Sequence, residues 1–183
     1  MINLMKGKLL NILPIKLPSG FTFIQVIITT IIVSILLLIA IPDFSTYLKV
    51  SRLKSAAEHF YSDMQFARSK ATEGSDIYVN MSPGASWCYG LNQSSSCNCA
   101  QANSCKIDGT EKKVTSADFP SIVMSTFGFS SNTFRFNHLQ GTSNVSEGRV
   151  IFYVGKKSIS IIINAAGRIL ICSNTVSGYK PCT

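Results

Sequence analysis

The chain has 183 residues, of which 46% are hydrophobic and only 14% charged; this composition excludes an intrinsically disordered protein and leaves room for one domain plus extras. Lys+Arg 17 exceed Asp+Glu 9 by eight. Lys6, Lys8 and Lys16 all precede Gly20, so the remainder carries 14 − 9 = +5, a milder excess than the dense basic patch of a nucleic-acid module.

From Phe21 to Ile41 run 21 residues without a formal charge, FTFIQVIITTIIVSILLLIAI. At about 1.5 Å per residue such a helix spans the roughly 30 Å hydrocarbon core of a bilayer. Lysines before it and none directly after it predict an inside N-terminus and an outside remainder. A cleaved secretory signal fits less well, because bulky Leu38 spoils the small-x-small site that would end at Ala40. The apolar register continues through Leu48, Leu53, Ala57, Phe60, Met64, Ala67 and Ala71, with charged residues between. That pattern predicts an amphipathic helix ending near Glu73-Gly74. Pro42 should kink the joined helix of about fifty residues.

Beyond Gly74 the predicted elements are strands: 76–81, 87–91, 121–126, 133–136, 149–154, 158–164 and 168–172, all rich in Val, Ile, Phe and Tyr. Gly, Ser, Asn and Pro clusters separate them. The last three read as an antiparallel meander turned at Gly155-Lys156-Lys157 and Asn164–Gly167. Residues 93–113 read as a loop rich in Ser, Asn and Cys. The expected fold is α+β. Residues 1–20 form a leader, 21–41 a membrane-spanning half of the helix, 42–73 its amphipathic half, and 74–183 a small antiparallel β domain.

Six cysteines outside the membrane read as disulfides. Cys88, Cys97, Cys99 and Cys105 fall within eighteen residues, and their spacing is unlike a usual zinc knuckle. A Cys97–Cys99 bond would close a very tight ring, so Cys88 and Cys105 are each expected to take one of that pair, in an order the sequence leaves open. Cys172–Cys182 is the simplest pairing for the tail. His59 and His138 stand alone, the nine acids are scattered, and no nucleophile, phosphate-loop or metal motif occurs. No enzymatic activity, cofactor or metal is expected. The remaining candidates are cations: Lys156, Lys157, Arg168 and Lys180, with Arg149 beside them, are expected to converge on one end of the sheet.

Ser19-Gly20-Phe21-Thr22-Phe23-Ile24-Gln25, the uncharged stretch and Ala40-Ile41-Pro42 resemble the leader and helix of type IV pilins and type II secretion pseudopilins. Trp87-Cys88-Tyr89-Gly90-Leu91, the Cys97-Asn98-Cys99 loop and Asn164-Ala165-Ala166-Gly167-Arg168 resemble the group joining H-type pseudopilins (GspH) with FimT-like minor pilins. The resemblance implies cleavage after Gly20 by a prepilin peptidase and N-methylation of Phe21. It implies a single-pass bacterial inner-membrane protein with a periplasmic domain, whose partners are other pilins in a filament. Gln25 departs from the family's usual Glu, a residue thought to meet a neighbour's N-terminal amine; with Pro42 it is assigned to filament packing. The leading reading is a structural subunit that initiates or caps a pilus or pseudopilus. The alternative is a DNA-binding subunit for transformation, for which Gly167-Arg168-Ile169-Leu170 lacks the family motif's second arginine.

Overall fold

The fold, taken from a computed structural model, is described for Gly20 and residues 22–182, with the side chains of 38–43 left aside. It divides into two compact units, one up to Pro42 and one from Asp43 onward. Helix α1 is assigned over Phe23–Ala71, 49 residues, so Pro42 does not end it. In the first unit every described side chain from Thr22 to Leu37 is exposed, Phe23 by 81% and Ile24 by 62%. Among the described residues no helix is long and apolar enough to cross a membrane. The expected membrane span lies partly outside them, since Phe21 and the side chains of residues 38–41 are not described. The leader expected over residues 1–20 is likewise outside them except for Gly20.

The second unit is built on the amphipathic part of α1. Leu53, Ala56, Ala57, Phe60, Met64, Ala67 and Ala71 are 0–1% exposed, at the three- and four-residue steps that keep one helical face toward a core. Leu48, expected in that stripe, points outward and is 36% exposed. Small alanines alternate with Leu, Phe and Met along the stripe, which lets the sheets approach the helix closely between larger side chains.

Strands β1 (Ile77–Ser82), β2 (Cys88–Gln93), β5 (Lys113–Thr115) and β7 (Thr133–Phe136) form one antiparallel sheet, in the order β5-β2-β1-β7. Strands β6 (Val123–Phe127), β8 (Glu147–Val154), β9 (Lys157–Asn164) and β10 (Ile169–Cys172) form a second, in the order β10-β9-β8-β6. A Gly84–Met124 bridge joins the sheets. The expected meander is β8-β9-β10, with Val154 paired to Lys157 across a two-residue Gly155-Lys156 turn. The loop read over 93–113 contains short strands: β3 (Lys106–Ile107) pairs with β4 (Thr110–Glu111), and β5 begins at its end. Stretches of two or three residues are too short for a period-two pattern to show, and the loop's disulfides and hydrogen bonds supply the order that apolar content does not.

Inward residues of both sheets join one core with the helix, among them Val79, Leu91, Phe134, Val150, Phe152, Ile161 and Ile163. Phe60 is the wedge between the layers: its ring lies 4.9 Å from that of Tyr89 on β2 and 5.6 Å from that of Phe152 on β8. Trp87 Nε1 donates to the Ile122 carbonyl at 2.8 Å, which satisfies the indole in the interior.

Asp76 ties the helix–sheet junction. Its Oδ1 accepts from the His138 backbone N–H at 2.9 Å and lies 2.7 Å from His138 Nδ1, while Oδ2 accepts from Arg135 Nη1 at 2.8 Å. The His138 hydrogen bonds, and secondarily the Arg135 charge, hold this carboxyl below the usual carboxylate range. A carboxyl depressed in the folded state stabilises wherever it is ionised, so its contribution is complete above about pH 4–5 and is lost as pH falls through the folded value. Asp76→Asn should therefore lower stability by about 2 kcal/mol at neutral pH. Urea melts of variant and wild type should converge as pH falls through the folded value of Asp76, where both side chains become neutral; a gap that persisted in strong acid would assign the loss to packing instead.

Candidate functional site

At the start of the helix, Thr22 occupies the N-cap. Its carbonyl accepts from the N–H groups of Gln25 at 3.0 Å and Val26 at 3.3 Å. In return the Thr22 N–H donates to Gln25 Oε1 at 3.2 Å. This is the reciprocal half of a capping box, in which the third helical residue satisfies the N-cap amide. The sequence carries the signature, Thr followed three residues later by Gln. The amide keeps the hydrogen-bonding role and drops the charge. Gly20 is exposed, and a Cβ added there would meet nothing within 4 Å. Phe21 lies outside the described residues.

The cysteines pair as Cys88–Cys99, Cys97–Cys105 and Cys172–Cys182, so the ambiguous loop resolves with Cys88 on Cys99 and Cys105 on Cys97. Two asparagines pin the loop: Asn80 Oδ1 accepts from the Cys97 N–H at 3.0 Å, and Asn92 Oδ1 from the Lys106 N–H at 2.8 Å. Gly90 gives the second bond its room, since a Cβ there would stand 2.3 Å from Cys105 Sγ. All six sulfurs are engaged, which leaves no thiolate for the zinc reading, and among the described residues no cluster of three or more His, Cys, Asp or Glu is placed to hold a metal. Alkylation of the denatured, unreduced chain should label no cysteine. Incorporation at two or more would show that the loop is not bridged as described.

The cations do not converge as expected. Lys156 and Lys157 lie at the β8–β9 turn, while Arg168 follows β9's far end. Eight residues of strand at about 3.4 Å each separate the two groups by more than 20 Å. Arg149 is 3.7 Å from Glu147, on the strand between. Arg168 and Lys180 do meet: both line a groove of about 220 Å³ with Ile162, Leu170, Pro181 and Cys182. The Cys172–Cys182 bond brings that tail segment back, and the Ser173 N–H donates to the Lys180 carbonyl at 2.9 Å.

The turn before Arg168 has a structural explanation for its glycine. Asn164 Oδ1 accepts the Arg168 N–H at 3.0 Å, and Gly167 holds φ +71° with its Cα packed on the Gly141 carbonyl, where an added Cβ would lie 2.0 Å from the oxygen. Arg68 Nε donates to that carbonyl at 3.2 Å, tying helix and turn together. Gly167→Ala should thus cost about 2–4 kcal/mol, from left-handed backbone plus the clash. Ala166→Gly, one position earlier, should cost under about 1 kcal/mol; equal losses for the two variants in urea melts would remove the packing explanation.

One cluster joins three polar side chains of the helix and the first sheet. Tyr89 donates to Asp63 Oδ2 at 2.8 Å, and His59 Nδ1 lies 3.0 Å from the same hydroxyl. Burial, then the Asp63 charge, pushes the Tyr89 phenol well above its usual value, so it is a neutral donor. A groove of about 390 Å³ lies beside His59 and Asp63, lined also by Glu111, Lys113 and Asp118. The three side chains satisfy one another at the helix–sheet contact.

The family model described as "Type II transport protein GspH" matches residues 56–167. Among solved structures, the fold is similar to that of the minor pseudopilin EpsH from the type 2 secretion system of Vibrio cholerae. That likeness has 12% identity and a TM-score of 0.50, over 67% of this chain and 97% of that one. The type IV minor pilin FimU of Pseudomonas aeruginosa gives 19% identity and a TM-score of 0.47, over 68% of this chain and 91% of that one. No curated protein sequence matches the chain. The matched span runs from the buried face of α1 to Gly167 and includes the first sheet and all of the second except its edge strand β10.

Proposed function

This chain belongs to the GspH family of type II transport proteins, and from that membership we propose that it is a minor subunit helping to initiate or cap a type IV pilus or a type II secretion pseudopilus. It is a structural subunit of a pilus-like filament, not an enzyme. The observation that carries the finer reading is the start of α1. Its apolar side chains from Phe23 to Leu37 are exposed, so lipid or neighbouring subunits must cover them. The capping residue there, Gln25, is uncharged. A carboxylate at this position would offset the amine of another subunit within the apolar filament interior, where an unpaired charge is disfavoured. Gln25 supplies the cap without the counter-charge, which suits a subunit that enters rarely or sits at an end. In this reading residues 1–20 are a cytoplasmic leader removed by prepilin peptidase, Phe21–Ile41 anchors the chain in the inner membrane, and the β domain is periplasmic.

Sheared filaments from strains expressing equal amounts of each variant test this. Gln25→Glu retains an acceptor for the Thr22 N–H and adds the charge, so it should raise the fraction recovered with filaments relative to the major subunit. Gln25→Leu loses the cap, worth about 1 kcal/mol, and should not raise recovery. Equal recovery for Gln, Glu and Leu would remove the end-placement reading. Deletion of the gene, scored for secretion, twitching and transformation in parallel, separates pseudopilus from pilus. Loss of transformation alone would favour DNA binding through Arg168 and Lys180, two cations able to support only weak, salt-sensitive affinity.

A further inference from the structure

A second groove lies at the other end of the β8–β9 hairpin from Arg168. It measures about 320 Å³ and is lined by Lys49 and Val50 of α1 together with Val154, Gly155, Lys156 and Lys157 of the turn. Val50 and Val154 pack against the core and form an apolar floor. Among the described residues no carboxylate lines it, and Lys49, Lys156 and Lys157 enter no ion pair. Lys157 Nζ donates to the Thr175 carbonyl at 2.7 Å, which holds one ammonium at the rim.

The same stretch of helix carries a second exposed feature. Phe44, Tyr47 and Leu48 are 61%, 69% and 36% exposed. At 100° per residue they share a face opposite the one that presents Thr46, Lys49 and Val50 to the β domain. Aromatic and aliphatic side chains on one side of a helix and lysine ammoniums on the other form the belt seen where a chain leaves a bilayer: amphipathic rings at headgroup level, cations on the phosphates. The covalent chain limits how far this belt can lie from the uncharged segment. Thr46 follows Ile41 by 46 − 41 = 5 residues, at most about 18 Å even fully extended.

We propose that Lys49, Lys156 and Lys157 form a binding site for the phosphate headgroups of anionic phospholipids, seating the β domain on the outer surface of the membrane before the subunit is drawn into a filament. This rests on the reading of Phe21–Ile41 as a membrane anchor. The occupant follows from charge and shape: three ammoniums with no carboxylate partner among the described residues, beside an apolar floor, match a headgroup phosphate with the upper part of its acyl chains. The Arg168–Lys180 groove, at the opposite end of the hairpin, should take no part.

The test uses the full chain reconstituted into vesicles of neutral phosphatidylcholine, with or without phosphatidylglycerol. A membrane-permeant amine reagent followed by mass spectrometry reads the labelling rate of each lysine. Phosphatidylglycerol should slow labelling at Lys49, Lys156 and Lys157 by about threefold or more, with the effect fading at high salt, and leave Lys180 unchanged. Lys156→Gln with Lys157→Gln should abolish the protection of Lys49, whereas Lys156→Arg with Lys157→Arg should keep it. Anchoring is read separately, by flotation before and after an alkaline wash, which only a spanning chain survives. A chain that floats with both lipids but labels equally in both overturns the headgroup site alone. A chain that floats only with phosphatidylglycerol, and is released by salt, keeps the site and overturns the spanning segment. A chain that floats with neither overturns both. Short duplex DNA that protects the three lysines in neutral vesicles as well as phosphatidylglycerol does would reassign the site to nucleic acid.

Discussion

Replacing Gly20 by valine should leave nearly all of the chain as full-length precursor in the membrane fraction. Among the described residues nothing demands glycine at this position: an added Cβ meets nothing within 4 Å, and the residue is exposed. Under the proposed cleavage, a loss of processing would come from the peptidase, which would have to bring its catalytic groups against the backbone between residues 20 and 21. A branched side chain at the scissile carbonyl obstructs that approach, and each 1.4 kcal/mol of lost transition-state binding slows cleavage about tenfold. Immunoblotting against a cleaved standard measures the ratio. Gly20→Ala, with one carbon added, should be cut slowly rather than not at all. N-terminal sequencing of wild type should begin at Phe21. A start at Ala40 or Ile41 would mean an ordinary signal peptide, and unchanged processing of Gly20→Val would remove the proposed cleavage site.

How much of this was legible in the sequence depends on the range of the interaction. The buried stripe from Leu53 to Ala71 and strands such as Thr133–Phe136 follow from local periodicity, because each residue's direction is set by its own helix or strand. Leu48 precedes Leu53 by five residues, about 140° around a helix at 100° per residue, so it falls off the buried stripe and points outward although Val50, two residues on, faces the β8–β9 turn. The pairing of Cys88 with Cys99 rather than Cys97 depends on where Asn80 and Asn92, on two neighbouring strands, hold the loop, and spacing carries no such information. The division of the cations had the same origin. Lys157 and Arg168 are eleven residues apart in sequence, 168 − 157, but a full strand lies between them. Lys49 joins the lysines of the β8–β9 turn only because the hairpin folds back against the helix. The capping pair Thr22–Gln25 is a local signal, Thr followed three residues later by Gln, and it is masked by the family's carboxylate at that position, which points to charge and not to the helix terminus.

The core offers the largest change in stability. Phe60→Ala should destabilise the β domain by about 4 kcal/mol, near the upper range for a buried aromatic truncated to alanine. Phe60 is 0% exposed and meets Tyr89 of one sheet and Phe152 of the other, both edge-on. Removing the ring forfeits its transfer free energy and two aromatic contacts, and it leaves a cavity where three layers meet. That cavity is slow to collapse, because the helix is tied at one end by the Arg68–Gly141 bond and the sheets are joined through the Gly84–Met124 bridge. Trp87 reports the event directly: it is the single tryptophan, 1% exposed, with its ring 5.3 Å from that of Phe152. Urea unfolding of the full chain in detergent, followed by Trp87 fluorescence, should show the midpoint shifted downward with little change in slope. Phe60→Leu fills most of the volume and should cost no more than about 1.5 kcal/mol. Met64→Ala, one turn along the same face, should cost about 3 kcal/mol because it opens space against fewer aromatic neighbours. If Phe60→Ala cost no more than Phe60→Leu, the ring would not be the joint between helix and sheets, and the contact that unites the two sheets with α1 would have to lie elsewhere along the stripe.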